Sequence, residues 1–96
     1  MGAINEVWLG ELENRLEEIE QELRQSRDNS TFLTQKIQLA KEADNYLGED
    51  GRSRKYMKEK IIEDLNKQYN QNEIKIQELL GERGAIRGLV DVIKMH

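Results

Sequence analysis

The sequence predicts an all-α protein: a long antiparallel helical hairpin, coiled-coil-like, that assembles into a four-helix or larger bundle. Three observations predict it. Apolar residues recur in alternating steps of three and four along two long stretches, which places each set on one face of a helix. A turn signal with two glycines, Gly48-Glu49-Asp50-Gly51, separates the stretches. The composition is 35% charged and 5% aromatic with no proline, which leans toward a coiled coil or long helix. The 96 residues fit one domain, residues 1–96.

Helix one is expected over about residues 5–47. Its stripe runs Leu9, Leu12, Leu16, Ile19, Leu23, Ser26, Ser30, Leu33, Ile37, Ala40, Asp44 and Leu47, and nine of these twelve positions are apolar. Asn5 can cap its start, with Glu6, Glu11 and Glu13 near the positive end of the helix dipole. A rival arrangement breaks this helix at residues 27–31, "RDNST", where Asn29 or Ser30 would cap a new one and give three or four shorter helices.

The turn is expected over about 48–52, with Gly48 as the C-terminal cap of helix one. Ser53 is the expected N-cap of helix two, about residues 53–94. The second stripe runs Ile62, Leu65, Tyr69, Asn72, Ile76, Leu79, Arg83, Ile86, Val90 and Ile93, widened by Met57, Ile61, Leu80 and Leu89.

Two arms of about 40 residues joined by a short turn fold back on each other, each about 60 Å long. With the turn centred near residue 50, residue i faces roughly residue 100 − i. Ser26 and Ser30 then lie opposite Asn72 and Tyr69, so polar gaps in two separate stripes fall at one height. A buried polar layer of this kind costs stability and fixes register.

Helix two carries Gly81, Gly84 and Gly88 within eight residues, although each glycine costs a helix roughly 1 kcal/mol against alanine. On the hairpin they fall at the heights of Ile19, Leu16 and Leu12. Their spacing predicts a groove into which helix one or a second copy presses, the alternative being that they kink or fray the last turns. Bulky apolar residues persist beyond them, more than a two-helix seam can cover, and Ile4, Val7 and Trp8 sit at the same end. The expected oligomer or partner interface is therefore Trp8, Leu12, Leu16, Gly81, Gly84, Gly88, Leu89, Val90 and Ile93.

Catalysis is not expected. The chain has no cysteine, its sole histidine is His96, and no glycine-rich phosphate loop follows a strand. No metal site or cofactor is implied. Residues 1–26 carry seven acids and two bases, whereas Arg52, Arg54, Lys55, Lys58 and Lys60 place five bases in nine residues beside the turn. Two readings of that basic shoulder compete. The bases pair across the hairpin with Glu42, Asp44, Glu49 and Asp50, or Arg52, Arg54, Lys55 and Lys58, with free N–H groups at the helix start, bind an anion such as a phosphate, nucleotide or nucleic-acid backbone.

The expected function is that of a non-enzymatic, self-associating helical hairpin acting through protein–protein binding, as an assembly factor, adaptor, scaffold or small inhibitor. Its partners would be further copies of itself and another protein. The alternative is an oligomeric binder of a phosphorylated small molecule or nucleic-acid backbone through the basic turn region. No apolar run approaches the roughly 18 residues of a membrane span. The first residues lack a signal peptide's basic patch and apolar core, and Glu6 stands where a myristoylation signal has Ser or Thr. A cytoplasmic protein is expected, and a virus-encoded accessory protein is compatible with this composition.

Overall fold

A computed structural model describes residues 3–96, with side chains from Ile4 onward. Among the described residues there is no strand. α1 spans Ala3–Tyr46, α2 spans Gly51–Tyr56, a π-helical turn spans Met57–Ile62, and α3 spans Glu63–Met95. The last three form one continuous second arm that folds back along α1. The rod measures 72 × 16 × 15 Å, close to the roughly 66 Å expected of a 44-residue α1.

α1 runs unbroken through residues 27–31, so the shorter-helix arrangement does not form. The residues that would have capped a new helix find partners elsewhere. The Thr31 and Thr34 hydroxyls donate to the carbonyls of Arg27 and Ser30 one turn back, at 3.2 and 2.9 Å. The Ser30 hydroxyl donates across the seam to Glu73. The hydroxyls bond within or across an intact helix and do not cap a new one. Asn5, expected as a cap, lies inside the helix, which is already formed at Ala3.

All twelve positions of the first stripe and all ten of the second are buried or half-buried. The main apolar cluster lies toward the free end, where Leu12, Ile19 and Leu23 of α1 pack with Ile76, Leu79, Ile86, Val90 and Ile93 of α3, and Leu33 and Ala40 are buried nearer the turn. Ile19 and Leu23 are the most enclosed, at 0% and 1% exposure.

The polar layer forms at the expected height. The Asn72 amide donates to the Ser26 carbonyl at 2.7 Å and to the Ser30 hydroxyl at 2.8 Å. Its carbonyl oxygen accepts from the Asn29 amide at 3.3 Å. Both donors and the acceptor of a buried side chain are thereby used, which removes the penalty of an orphaned polar group.

The turn is closed from both sides. Gly48 adopts a left-handed φ of 60°, a conformation glycine enters without steric cost, and its N–H donates to the Asn45 carbonyl. The second arm begins at Gly51, two residues before the expected start, because Asp50 and not Ser53 is the N-cap. The Asp50 carboxylate accepts from the Ser53 N–H at 3.1 Å and from its hydroxyl at 2.9 Å. Aspartate has the stronger claim at this position because its charge also favours the positive end of the helix.

Replacing Asn72 with Ala is expected to lower unfolding stability by about 1–3 kcal/mol, since Ser26, Asn29 and Ser30 lose their shared partner. Urea denaturation followed by circular dichroism checks this. An unchanged midpoint would mean that the layer contributes nothing.

Candidate interaction surface

The start of α1 and the end of α3 share one end of the rod, and six of the twelve exposed large apolar side chains among the described residues lie there. Val90 and Ile93 face α1, which turns their neighbours Leu89, Val92 and Met95 to solvent at 40%, 49% and 77% exposure. On α1, Leu9 and Leu12 take the seam and leave Ile4, Val7 and Trp8 outside. A shallow groove of about 380 Å³ is lined by Ile4, Val7, Trp8 and Glu11.

The ion pairs show which flank of the hairpin this surface occupies. Arg15 binds Glu82 through two parallel hydrogen bonds, Nε to Oε2 at 2.6 Å and Nη2 to Oε1 at 2.8 Å. Trp8 stands seven residues before Arg15, and Leu89 seven after Glu82. A seven-residue step returns to the same side of a coiled-coil helix. Trp8 and Leu89 therefore share the flank of the Arg15–Glu82 pair, one heptad nearer the free end.

Several of the expected interface residues are already packed within the single hairpin. Leu12, Val90 and Ile93 are buried in the hairpin's own seam, and Leu16 packs against the same core. Gly81, Gly84 and Gly88 are exposed, and a Cβ added at any of them would meet nothing within 4 Å. They do not receive helix one. The seam of α3 runs Leu79, Arg83, Ile86 and Val90, and the three glycines fall between those positions, on the outer side. Nor do they end the helix, which continues to Met95. They leave bare helix backbone facing outward, with Gly88 next to the exposed Leu89.

A second exposed set was not anticipated from the sequence. Phe32, Leu39 and Tyr46 recur every seven residues on the outer side of α1, at 57%, 65% and 91% exposure. The Lys36 ammonium stands 4.8 Å over the Phe32 ring. Leu39 joins Thr34, Gln35 and Gln38 in lining a shallow depression of about 470 Å³. The heptad spacing of these three residues was a readable signal.

At the turn, the shoulder is tied internally. Arg54 donates to both carboxylate oxygens of Asp44, at 3.4 and 3.2 Å, and to the Gly48 carbonyl at 3.1 Å. The helix-start N–H groups of Ser53 and Arg54 are occupied by the Asp50 carboxylate and carbonyl. Arg52, Lys55 and Lys58 remain exposed. Lys55 and Lys58 share a depression with Gly51, Arg54 and the acidic Glu59, which offsets their charge toward an anion. Among the described residues, no group of three His, Cys, Asp or Glu side chains converges as metal ligands would.

Ion pairs across the seam flank the apolar end. Arg83 donates to Glu20 at 3.0 Å, and Lys94 approaches Glu13 at 3.9 Å. Hydrogen bonds from guanidinium groups hold the Glu82, Glu20 and Asp44 carboxyls below their ordinary range, through Arg15, Arg83 and Arg54 respectively. The Ser53 N–H does the same for Asp50.

No family model matches this chain, and neither a curated protein nor a solved structure gives a significant match. Among the described residues, no helix is long and apolar enough to cross a membrane.

The lowered carboxyls fix the sign of the acid response. As pH falls, the unfolded chain takes up protons at these positions before the folded one does, so folding weakens. Their contribution is complete above about pH 5 and is lost as pH drops through the unfolded carboxylate values near 4 and below. Thermal melts between pH 7 and pH 3 are expected to show a flat midpoint that falls below about pH 5. A midpoint that rises on acidification would contradict these pairings.

Proposed function

We propose that the protein is a non-enzymatic helical hairpin that self-associates and acts by binding another protein, as an assembly factor, adaptor, scaffold piece or small inhibitor. The observation that carries this reading is the concentration of Ile4, Val7, Trp8, Leu89, Val92 and Met95 on the surface at one end of a highly charged rod. A contiguous apolar patch on a small monomer marks an interaction site more often than an idle surface. The size of the chain points the same way. A 96-residue chain buries a modest fraction of its surface on folding, and a two-helix seam is the thinnest core a fold can have. A second hairpin laid along the patch would complete a four-helix cross-section at that end. The outward glycines suit such a neighbour, because a helix without side chains on one face admits another backbone closely.

Light scattering at tens of micromolar is expected to give at least twice the 11.3 kDa chain mass. A clean monomer over that range would contradict self-association. Substituting Trp8 and Leu89 with Glu is expected to shift the population to monomer while the helical signal is retained.

Gly84→Leu combined with Gly88→Leu separates the two roles of the glycines. Both sites are open in the hairpin, so the substitutions are expected to stabilise it by about 1–2 kcal/mol through helix propensity. The same change is expected to weaken assembly if the bare backbone is a contact. Stabilised hairpins that assemble as before would remove the glycines from the interface.

A further inference from the structure

We infer that the π-helical turn Met57–Ile62 is a one-residue insertion in the second arm, a conformational device that lets the turn and its basic shoulder keep a helical phase different from that of α3. Two observations lead to it. The Glu63 N–H donates to the Lys58 carbonyl, five residues back, where an α-helix would use the fourth. Independently, Met57 and Ile62 are both half-buried while the four residues between them are exposed. Positions five apart on an α-helix stand about 140° from each other, so only one of the two could face α1. Bonding to the fifth residue returns both to one side.

The spacing of seam positions along the arm contains this one irregularity. Seam-facing residues run Arg54, Met57, Ile62, Leu65, Tyr69, Asn72, Ile76 and onward in steps of three and four, save for the single step of five; the other half-buried residues, Ser53, Glu73, Leu80 and Glu82, each stand next to a seam position. The two sides of that step are anchored separately. Upstream, the Asp50 cap and the grip of Arg54 on Asp44 and Gly48 fix the rotation of residues 51–57. Downstream, the Asn72 layer and the Ile76 and Leu79 contacts fix the rotation of α3. The two anchors are out of phase by one residue, or about 100° of helix rotation. The π turn absorbs that difference and keeps Arg54 directed at Asp44, with Arg52, Lys55 and Lys58 outward.

An inserted residue can be removed without disturbing either anchor. Deleting the exposed Glu59 brings Met57 and Ile62 to an ordinary four-residue step, so the arm becomes a continuous α-helix with every seam contact kept. Deleting the equally exposed Gln77 in α3 has no such remedy, and one side of the seam must rotate away from α1. The melting temperature of the Glu59 deletion is expected to stay within about 3 °C of the parent or exceed it, whereas the Gln77 deletion is expected to fall by about 10 °C or more. In the Glu59 deletion, Met57→Ala is expected to lower the melting temperature as much as it does in the full chain, because Met57 still faces α1. A Glu59 deletion that loses at least half as much as the Gln77 deletion would overturn the inference.

Discussion

One apolar seam, two helices wide, holds this molecule together. A seam between two helices is open to solvent along both flanks, so complete burial is confined to residues such as Ile19 and Leu23. The geometry divides the apolar residues of the chain into two classes. Those on the steps of three and four enter the seam. Most of those off the steps stay outside: Ile4, Val7, Trp8, Leu89, Val92 and Met95 near the free end, Phe32, Leu39 and Tyr46 on the back of α1, and Tyr56, Ile61 and Ile74 on the second arm, while Leu80 lies beside the seam and packs against its edge. The same constraint that makes the rod therefore also makes its sticky surface.

A uniform apolar seam specifies which faces meet but tolerates sliding by a heptad. Three polar features remove that freedom. The Asn72 amide bonds to Ser26, Asn29 and Ser30 at one height only. The fork of Arg15 matches the Glu82 carboxylate at another, with Glu18 and Glu22 close to the same guanidinium. Near the turn, Arg54 closes on Asp44. Exposed ion pairs contribute little stability singly. Their value here lies in agreement, because all three are satisfied by the same alignment, in which facing residue numbers add up to about one hundred.

Much of this alignment was legible in the sequence. A stripe sustained over twelve positions is a strong periodic signal, and the coincidence of Ser26 and Ser30 with Asn72 specified the pairing height without coordinates. Height is all that such arithmetic gives. Gly81, Gly84 and Gly88 do lie level with Ile19, Leu16 and Leu12, yet they point away from them, since azimuth depends on the steps between Leu79, Arg83, Ile86 and Val90. Leu12, Val90 and Ile93, expected at an oligomer or partner interface, also belong to the two stripes, and within the hairpin they pack in the seam. The competition between Asp50 and Ser53 for the cap is decided by local backbone geometry that residue type alone does not fix. The five-residue step from Met57 to Ile62 was visible, but widening the stripe with Met57 and Ile61 concealed it.

The distance between the two arms tests the account most directly. Gln25 and Lys75 are exposed, their numbers add up to one hundred, and both border the shallow depression beside Asn72. Spin labels on cysteines placed at these two positions, with the labelled chain diluted into unlabelled protein, report the intramolecular separation alone. Helix axes in contact lie about 8–10 Å apart, so a distance below roughly 25 Å is predicted once the label arms are included. A separation near 75 Å, the length of 50 residues of uninterrupted helix, would mean that the arms do not fold back within one chain and would contradict the hairpin.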